Sequence, residues 1–348
     1  MERSNNLDII RFIAAGSVIF GHAFPLNEGV SPGFLSNSVQ TIGVKIFFTL
    51  SGFLIAQSWA SDPHLGRFFA RRGLRLFPAL AVVLIFSMVV VGWAFTTLPS
   101  GEYWSHPRLW RYLGNLSLNI TYDLPGVFAT NHYPTAVNGS LWSLPVEVVM
   151  YLCTPVVLTL GRLVRSRLAV LWVVSVAGVA ASAWFVHGTP TPVPGIAYGM
   201  ALSAVLDVAP YFAIGALAAE SKWHLRLDAQ TAVVALLVAL MFPVRHAVID
   251  EFILCVLVPI VVLGLGFTPS PRFARAGRFG DFSYGLYLYG FVVQQSFAAL
   301  FGGAMNPIVN ALLSLVVALA LALASWHLVE KRALALRPRS PRLPQTAQ

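Results

Sequence analysis

The feature that most constrains this chain is repetition: apolar runs, each about twenty residues long, follow one another with short polar breaks between them. Crossing the hydrocarbon core of a bilayer takes roughly 20 apolar helical residues, and inside lipid each backbone N–H and C=O must bond within its own segment. Such runs are therefore expected to be helices. Ten are visible, over residues 7–26, 41–60, 75–97, 141–161, 168–187, 198–219, 229–244, 249–267, 282–301 and 307–329. The expected fold is an all-α polytopic transmembrane bundle of about ten spans. Hydrophobic residues make up 57% of the 348 and charged residues 11%, which leaves no polar stretch long enough to fold as a separate soluble domain. One membrane-embedded domain over residues 1–330, followed by a basic, disordered cytoplasmic tail over residues 331–348, is the expected organisation.

The net charge of +9 does not point to nucleic acid, because the basic residues stand in short clusters between apolar runs rather than along one soluble face. Assigned to alternate sides of the ten spans, 18 of the 23 Lys and Arg fall on one side and only Arg108, Arg111 and Arg245 on the other, with Arg11 and Lys45 inside spans. Positive charge in short loops stays in the cytoplasm. Both termini are accordingly expected there, in a multi-pass membrane protein. The longest outer connection, residues 98–140, carries Trp104, Trp110, Tyr112 and Tyr133, residues suited either to a saccharide floor or to an interfacial belt. Cys153 and Cys255 lie in apolar runs and read as small buried hydrophobes.

Ionisable side chains at membrane depth are costly, so each is a functional candidate, with helix-to-helix pairing as the competing explanation. Arg11, His22, Lys45, Glu147 and Asp207 stand out. Arg11 and His22 are eleven residues apart, about three helical turns, so both fall on one face with a rise of roughly 16 Å between them. Arg11 lies near the cytoplasmic end and His22 near the outer end, at the expected depth of Glu147 and Lys45. Arg67, Arg71, Arg72 and Arg75 crowd the cytoplasmic start of the third run, where Arg forks suit either topology or phosphate recognition. Asp207 reads first as a structural hydrogen-bond acceptor. His106, His132, His187 and His246 are scattered without metal-ligand spacing, so no metal is expected.

At these residues the sequence resembles the membrane-bound acyltransferase-3 family. The resemblance rests on Asn6-Leu7-Asp8-Ile9-Ile10-Arg11 with His22, on Val44-Lys45-Ile46-Phe47-Phe48-Thr49-Leu50-Ser51-Gly52, and on the Arg72 and Arg75 pair before Pro78. It continues through Leu141-Trp142-Ser143-Leu144-Pro145-Val146-Glu147 and Phe282-Ser283-Tyr284-Gly285-Leu286-Tyr287-Leu288-Tyr289. Lys45 stands where the family often has an acidic residue, and Tyr289 near where many members place a histidine. The resemblance implies an O-acyltransferase, by default an O-acetyltransferase, taking its acyl group from cytosolic acyl-CoA as co-substrate and modifying a polysaccharide or other extracytoplasmic glycan. It implies no permanently bound cofactor, contact with membrane lipid, and polysaccharide-biosynthesis proteins as partners. His22 and Glu147 are the expected catalytic residues, and Arg11, Arg72 and Arg75 the expected donor-phosphate grip. Lys45, Trp142 and Ser143 are expected at the acceptor end. A glycan transporter or flippase is the rival reading.

Overall fold

The structure, a computed structural model, describes residues 6–134, 136–189, 194–241, 246–270 and 280–338. Arg3, Arg245, Arg272, Arg275, Arg278, Arg339 and Arg342 lie outside the described residues. All ten expected runs are helical: α1 Leu7–Ala23, α2 Val39–Ser61, α3 Leu65–Phe86, α4 Ser143–Leu163, α5 Arg167–Ser182, α6 Leu202–Ser221, α7 Ala229–Met241, α8 Ala247–Phe267, α9 Ser283–Leu300 and α10 Pro307–Ser325. Eight of them, with the turns that extend them, are long and apolar enough to cross a membrane. The chain is thus a multi-pass membrane protein.

The two helices outside that set have different causes. The described part of α7 is only 13 residues long. Helix α9 is diluted by Gln294, Gln295 and three tyrosines, yet it is buried almost all round. A helix apolar on one face only would expose its back; α9 instead stands in the middle of the bundle and satisfies its polar groups there. Gln294 Nε2 donates to the Ile19 carbonyl (2.7 Å), and Gln295 Nε2 donates to the carbonyls of Tyr133 (2.6 Å) and Ala136 (2.7 Å). Asn138 Nδ2 donates in turn to the Leu288 carbonyl (2.8 Å). These bonds pin the long connection between α3 and α4 against α9, so this segment has a defined structure.

Helix α3 begins ten residues before the apolar run does. His64 caps it by accepting from the Arg67 N–H, and Asp62 takes bonds from Arg67 (2.6 Å) and Arg71 (2.8 Å). Those contacts hold a basic turn in helical form ahead of the lipid-crossing part. With its extension, α3 covers Leu65–Phe95, 31 residues, or about 46 Å at 1.5 Å per residue. At the other end of the chain a π-turn and the helix Lys331–Ala335 prolong α10, so residues 331–335 are helical where a disordered tail was expected. Residues 339–348 lie outside the described part.

Helices α2 and α6 cross so closely that only glycine fits. A Cβ on Gly52 would stand 2.0 Å from the Phe212 carbonyl oxygen, and one on Gly215 2.2 Å from that of Thr49. Small residues permit this approach where lipid offers no hydrophobic driving force between helices. The crossing fixes the register of α2, which contributes to both charged clusters described below.

Candidate active site

Five of the expected site residues meet in one cavity. Arg11 comes from α1, Arg72 and Arg75 from α3, and Ser143 and Glu147 from α4, around about 110 Å³ of free space. The helical repeat explains the convergence. Ser143, Glu147 and Tyr151 recur every four residues on α4, Arg72 and Arg75 are three apart on α3, and Tyr284 and Tyr287 are three apart on α9, so each set shares a face. Phe47, Phe48 and Ser51 of α2 complete an apolar wall with one hydroxyl in it.

The basic end of the cavity contains an acid that sequence reasoning missed. Asp281 accepts from Arg11 Nη1 at 3.1 Å and makes a shorter bond with Arg75, while Ser283 Oγ donates to its other oxygen at 2.6 Å. Burial pushes this carboxyl up, but Arg75 and Arg11 outweigh it and hold Asp281 at about 2. Arg72 is held differently. One of its terminal nitrogens donates to Ser58 Oγ (3.0 Å) and its guanidinium lies 5.9 Å from the Phe68 ring centre, while its buried Nε has no partner among the described residues. Arg67 and Arg71, outside the pair that the family resemblance singled out, are turned away toward Asp62. The basic turn thus divides into a structural pair and a cavity pair.

Glu147 takes hydrogen bonds from Ser51 Oγ (3.4 Å) and, more closely, from the Tyr151 hydroxyl. Depth alone suggested His22 as its neighbour; the described partners are these two hydroxyls instead, because α4 turns Glu147 toward the arginine cavity. Ser143 Oγ and the Tyr287 hydroxyl are 2.7 Å apart, and Tyr287 also donates to the Ser140 carbonyl (3.0 Å). This pair closes the far end of the cavity.

His22 lies just beyond that end. Its ring is edge-on to Phe291 with centroids 5.4 Å apart, and Phe291 follows Tyr287 by one turn of α9, a rise of about 6 Å. A neutral imidazole carries one N–H donor and one nitrogen able to accept a proton. Along α1, then, Arg11 sits at one end of the cavity and a histidine just past the other.

Two expected acceptor residues are placed elsewhere. Trp142 is half-buried against the hydrophobic core and does not line the cavity. Lys45 is completely buried in a second charged cluster, where its ammonium donates to Glu251 Oε2 (2.6 Å) and Asn37 Oδ1 (2.8 Å) and pairs with Asp207 Oδ1 (3.0 Å). His187 Nε2 approaches the same two carboxylates at 3.0 and 3.3 Å, and Tyr211 donates to Glu251 Oε1 at 3.0 Å. The ligand atoms of His187, Asp207 and Glu251 lie within 4.8 Å of one another, a metal-like grouping that linear spacing hid. The lysine already supplies positive charge to those oxygens. Its three N–H donors match three acceptors, which accounts for a cation in the interior.

Comparison with known proteins gives the family. A family model described as an acyltransferase domain matches residues 4–327. The chain is 30% identical to an O-acetyl transferase of Shigella phage Sf6, over 95% of this chain and 96% of that protein. It is also 30% identical to Nodulation protein 10 of Rhizobium leguminosarum bv. viciae, over 96% and 94%, and 27% identical to the acyltransferase MdmB of Streptomyces mycarofaciens, over 87% and 82%. No solved structure matches it. The chain belongs to the acyltransferase-3 family and is a membrane O-acyltransferase.

Proposed function

We propose that this enzyme moves an acetyl group from cytosolic acetyl-CoA to a hydroxyl of an extracytoplasmic glycan, in a bacterial inner membrane and with both termini in the cytoplasm. The observation that carries the reading is the polarity of the cavity. Three arginines converge at the end marked as cytoplasmic by the excess of Lys and Arg, and His22 stands past the opposite end. A coenzyme A donor is polyanionic at one end and carries its thioester at the tip of a long, narrow arm. Arg11, Arg72 and Arg75 take the phosphates by charge-assisted hydrogen bonds, and the hydroxyl-lined cavity leads the arm toward His22.

At the far end the unprotonated nitrogen of His22 takes the proton of the acceptor hydroxyl as its oxygen attacks the thioester carbon. The C–S bond then breaks, the electron pair leaves with sulfur, and the proton passes to the departing thiolate, giving an ester and free coenzyme A. Glu147, one turn below Ser143 and facing the arginines, balances charge along the path. The Sf6 relative, named an O-acetyl transferase, favours acetyl as the group moved. The test is transfer by purified protein in liposomes: acetyl-CoA labelled in its acetyl group, supplied to the side bearing the C-terminus, yields labelled glycan on the other side. Labelling only when donor and glycan share a side would overturn the proposed arrangement.

A further inference from the structure

The connection between α3 and α4, on the His22 side of the bundle, holds a second, polar cavity of about 200 Å³ lined by Arg108, Arg111, Thr121 and Asp123. Four observations bear on what it takes. First, Arg108 and Arg111 are one turn apart on the short helix Pro107–Arg111, so they project the same way. Arg108 reaches Asp123 only at 3.7 Å with both side chains more than half exposed, and Arg111 has no ion-pair partner among the described residues. Second, the Thr121 hydroxyl is buried and unpartnered, while its backbone is clamped by Asn115, which accepts from the Thr121 N–H (2.8 Å) and donates to its carbonyl (3.0 Å). A rigid segment therefore offers an unused donor beside two guanidinium groups.

Third, basic residues are scarce on this side: by the sequence tally only three of the 23 Lys and Arg belong to it, and two of them share this cavity. Topology disfavours Lys and Arg there, so a close pair calls for a counter-charge that the chain itself supplies only in part through Asp123. Fourth, the cavity is next to the chemistry. Tyr122, between Thr121 and Asp123, packs on the cluster of Leu26, Ala136 and Phe291, and Phe291 is the ring that touches His22. The chain that lines the cavity therefore packs, through Tyr122, on the cluster whose Phe291 ring meets His22.

We infer that this cavity binds an anionic group, a carboxylate or a phosphate, carried by the glycan acceptor, and so presents a neighbouring hydroxyl to His22. Arg108 and Arg111 pair with the anion, the Thr121 hydroxyl donates to it, and Asp123 accepts from sugar hydroxyls. Trp110 and Trp104, exposed on the adjoining short helices and joined by a 3.2 Å bond from the Trp110 indole N–H to the Trp104 carbonyl, provide flat apolar surface for a sugar ring. The inference rests on the glycan-acceptor reading above.

The test uses the full chain in nanodiscs with saturating coenzyme A, which blocks the other arginine cavity. Three probes are titrated while Trp fluorescence is followed: inorganic pyrophosphate for a phosphate, a hyaluronan tetrasaccharide for a carboxylate, and maltotetraose as a neutral sugar. One anionic probe is expected to bind, with affinity about tenfold weaker or worse in R108Q/R111Q and largely kept in R108K/R111K; which probe binds identifies the anion. No binding of either anionic probe, equal binding to R108Q/R111Q, or maltotetraose binding as tightly as the hyaluronan fragment would overturn the inference. Coenzyme A binding is measured separately, so failure of the donor reading is distinguishable from failure of this one.

Discussion

Two buried clusters of charge among the described residues of this membrane protein, one around Lys45 and one around Arg11, Arg72 and Arg75, differ in completeness. Around Lys45 the bonds close: one ammonium meets Asn37, Asp207 and Glu251, and His187 and Tyr211 occupy remaining positions on the carboxylates. Around Arg11, Arg72 and Arg75 they do not: Arg11 pairs with Asp281 and, at 3.7 Å, with Asp8, and Arg75 shares Asp281, but the three groups border free volume and Arg72 keeps an unpartnered Nε among the described residues. A saturated cluster holds helices together, whereas an unsaturated one beside a cavity can exchange an internal partner for a ligand. Both violate the rule that charge avoids lipid, and only the state of their partners separates structure from function.

The comparison breaks first at His22, on the functional side. His22→Ala is expected to lower turnover by about 10²–10⁴-fold, the usual worth of general-base help, with coenzyme A binding retained. The check is acyl transfer measured beside donor binding on the same membrane-inserted protein. Full transfer by this variant would remove the catalytic assignment.

On the structural side, Lys45→Met strands two carboxylates in the interior. Removing one partner of a buried ion pair costs about 3–5 kcal/mol, so folded yield and thermal midpoint should fall sharply, while transfer per folded molecule stays near normal. The double variant Lys45→Met/Glu251→Gln should recover part of the lost stability. Unchanged stability with lost transfer would reverse the roles given to the two clusters.

A smaller effect is expected at Asp281, the internal partner of two donor-binding arginines. Asp281→Asn frees Arg11 and Arg75 and should tighten coenzyme A binding by up to about tenfold at low salt, with the gain shrinking as salt screens the contact. Calorimetric titration at two ionic strengths reads it. Weaker binding would mean that Asp281 aims the arginines rather than competing for them.

The smallest effect concerns pH. Asp281 is held at about 2, below its ordinary value of 3.8, so its contribution to stability is complete above 3.8 and lost only as pH falls through about 2. Over neutral pH this acid should add no step to the coenzyme A binding profile. A binding step that disappears in Asp281→Asn would contradict the ion pairing described here.

Much of this was legible in the chain because membrane helices obey one-dimensional rules. Apolar run length located ten helices, and helical periodicity placed Arg11 with His22 on one face of one helix. Spacing alone left Arg67, Arg71, Arg72 and Arg75 as one basic turn; the family resemblance singled out Arg72 and Arg75, and the ion pairs of Asp62 give the physical reason the other two are turned away. Asp281 was overlooked because it precedes an apolar run rather than interrupting one, and Glu251 because nothing in the spacing ties it to Lys45, 206 residues away. Trp142 kept its aromatic character but lost its place at the site, since one turn of α4 aims Ser143 inward and leaves the indole against the core.

Run length and the ionisable residues within the runs were enough to establish an all-α membrane bundle with charge at membrane depth, because the cost of exposing backbone or charge to lipid arises segment by segment and can be read locally. Which of those groups are saturated and which border open volume was set by the packing of the helices. That distinction depends on partners contributed by other helices, and on the angle at which α2, α4 and α9 turn their faces toward one cavity or away from it.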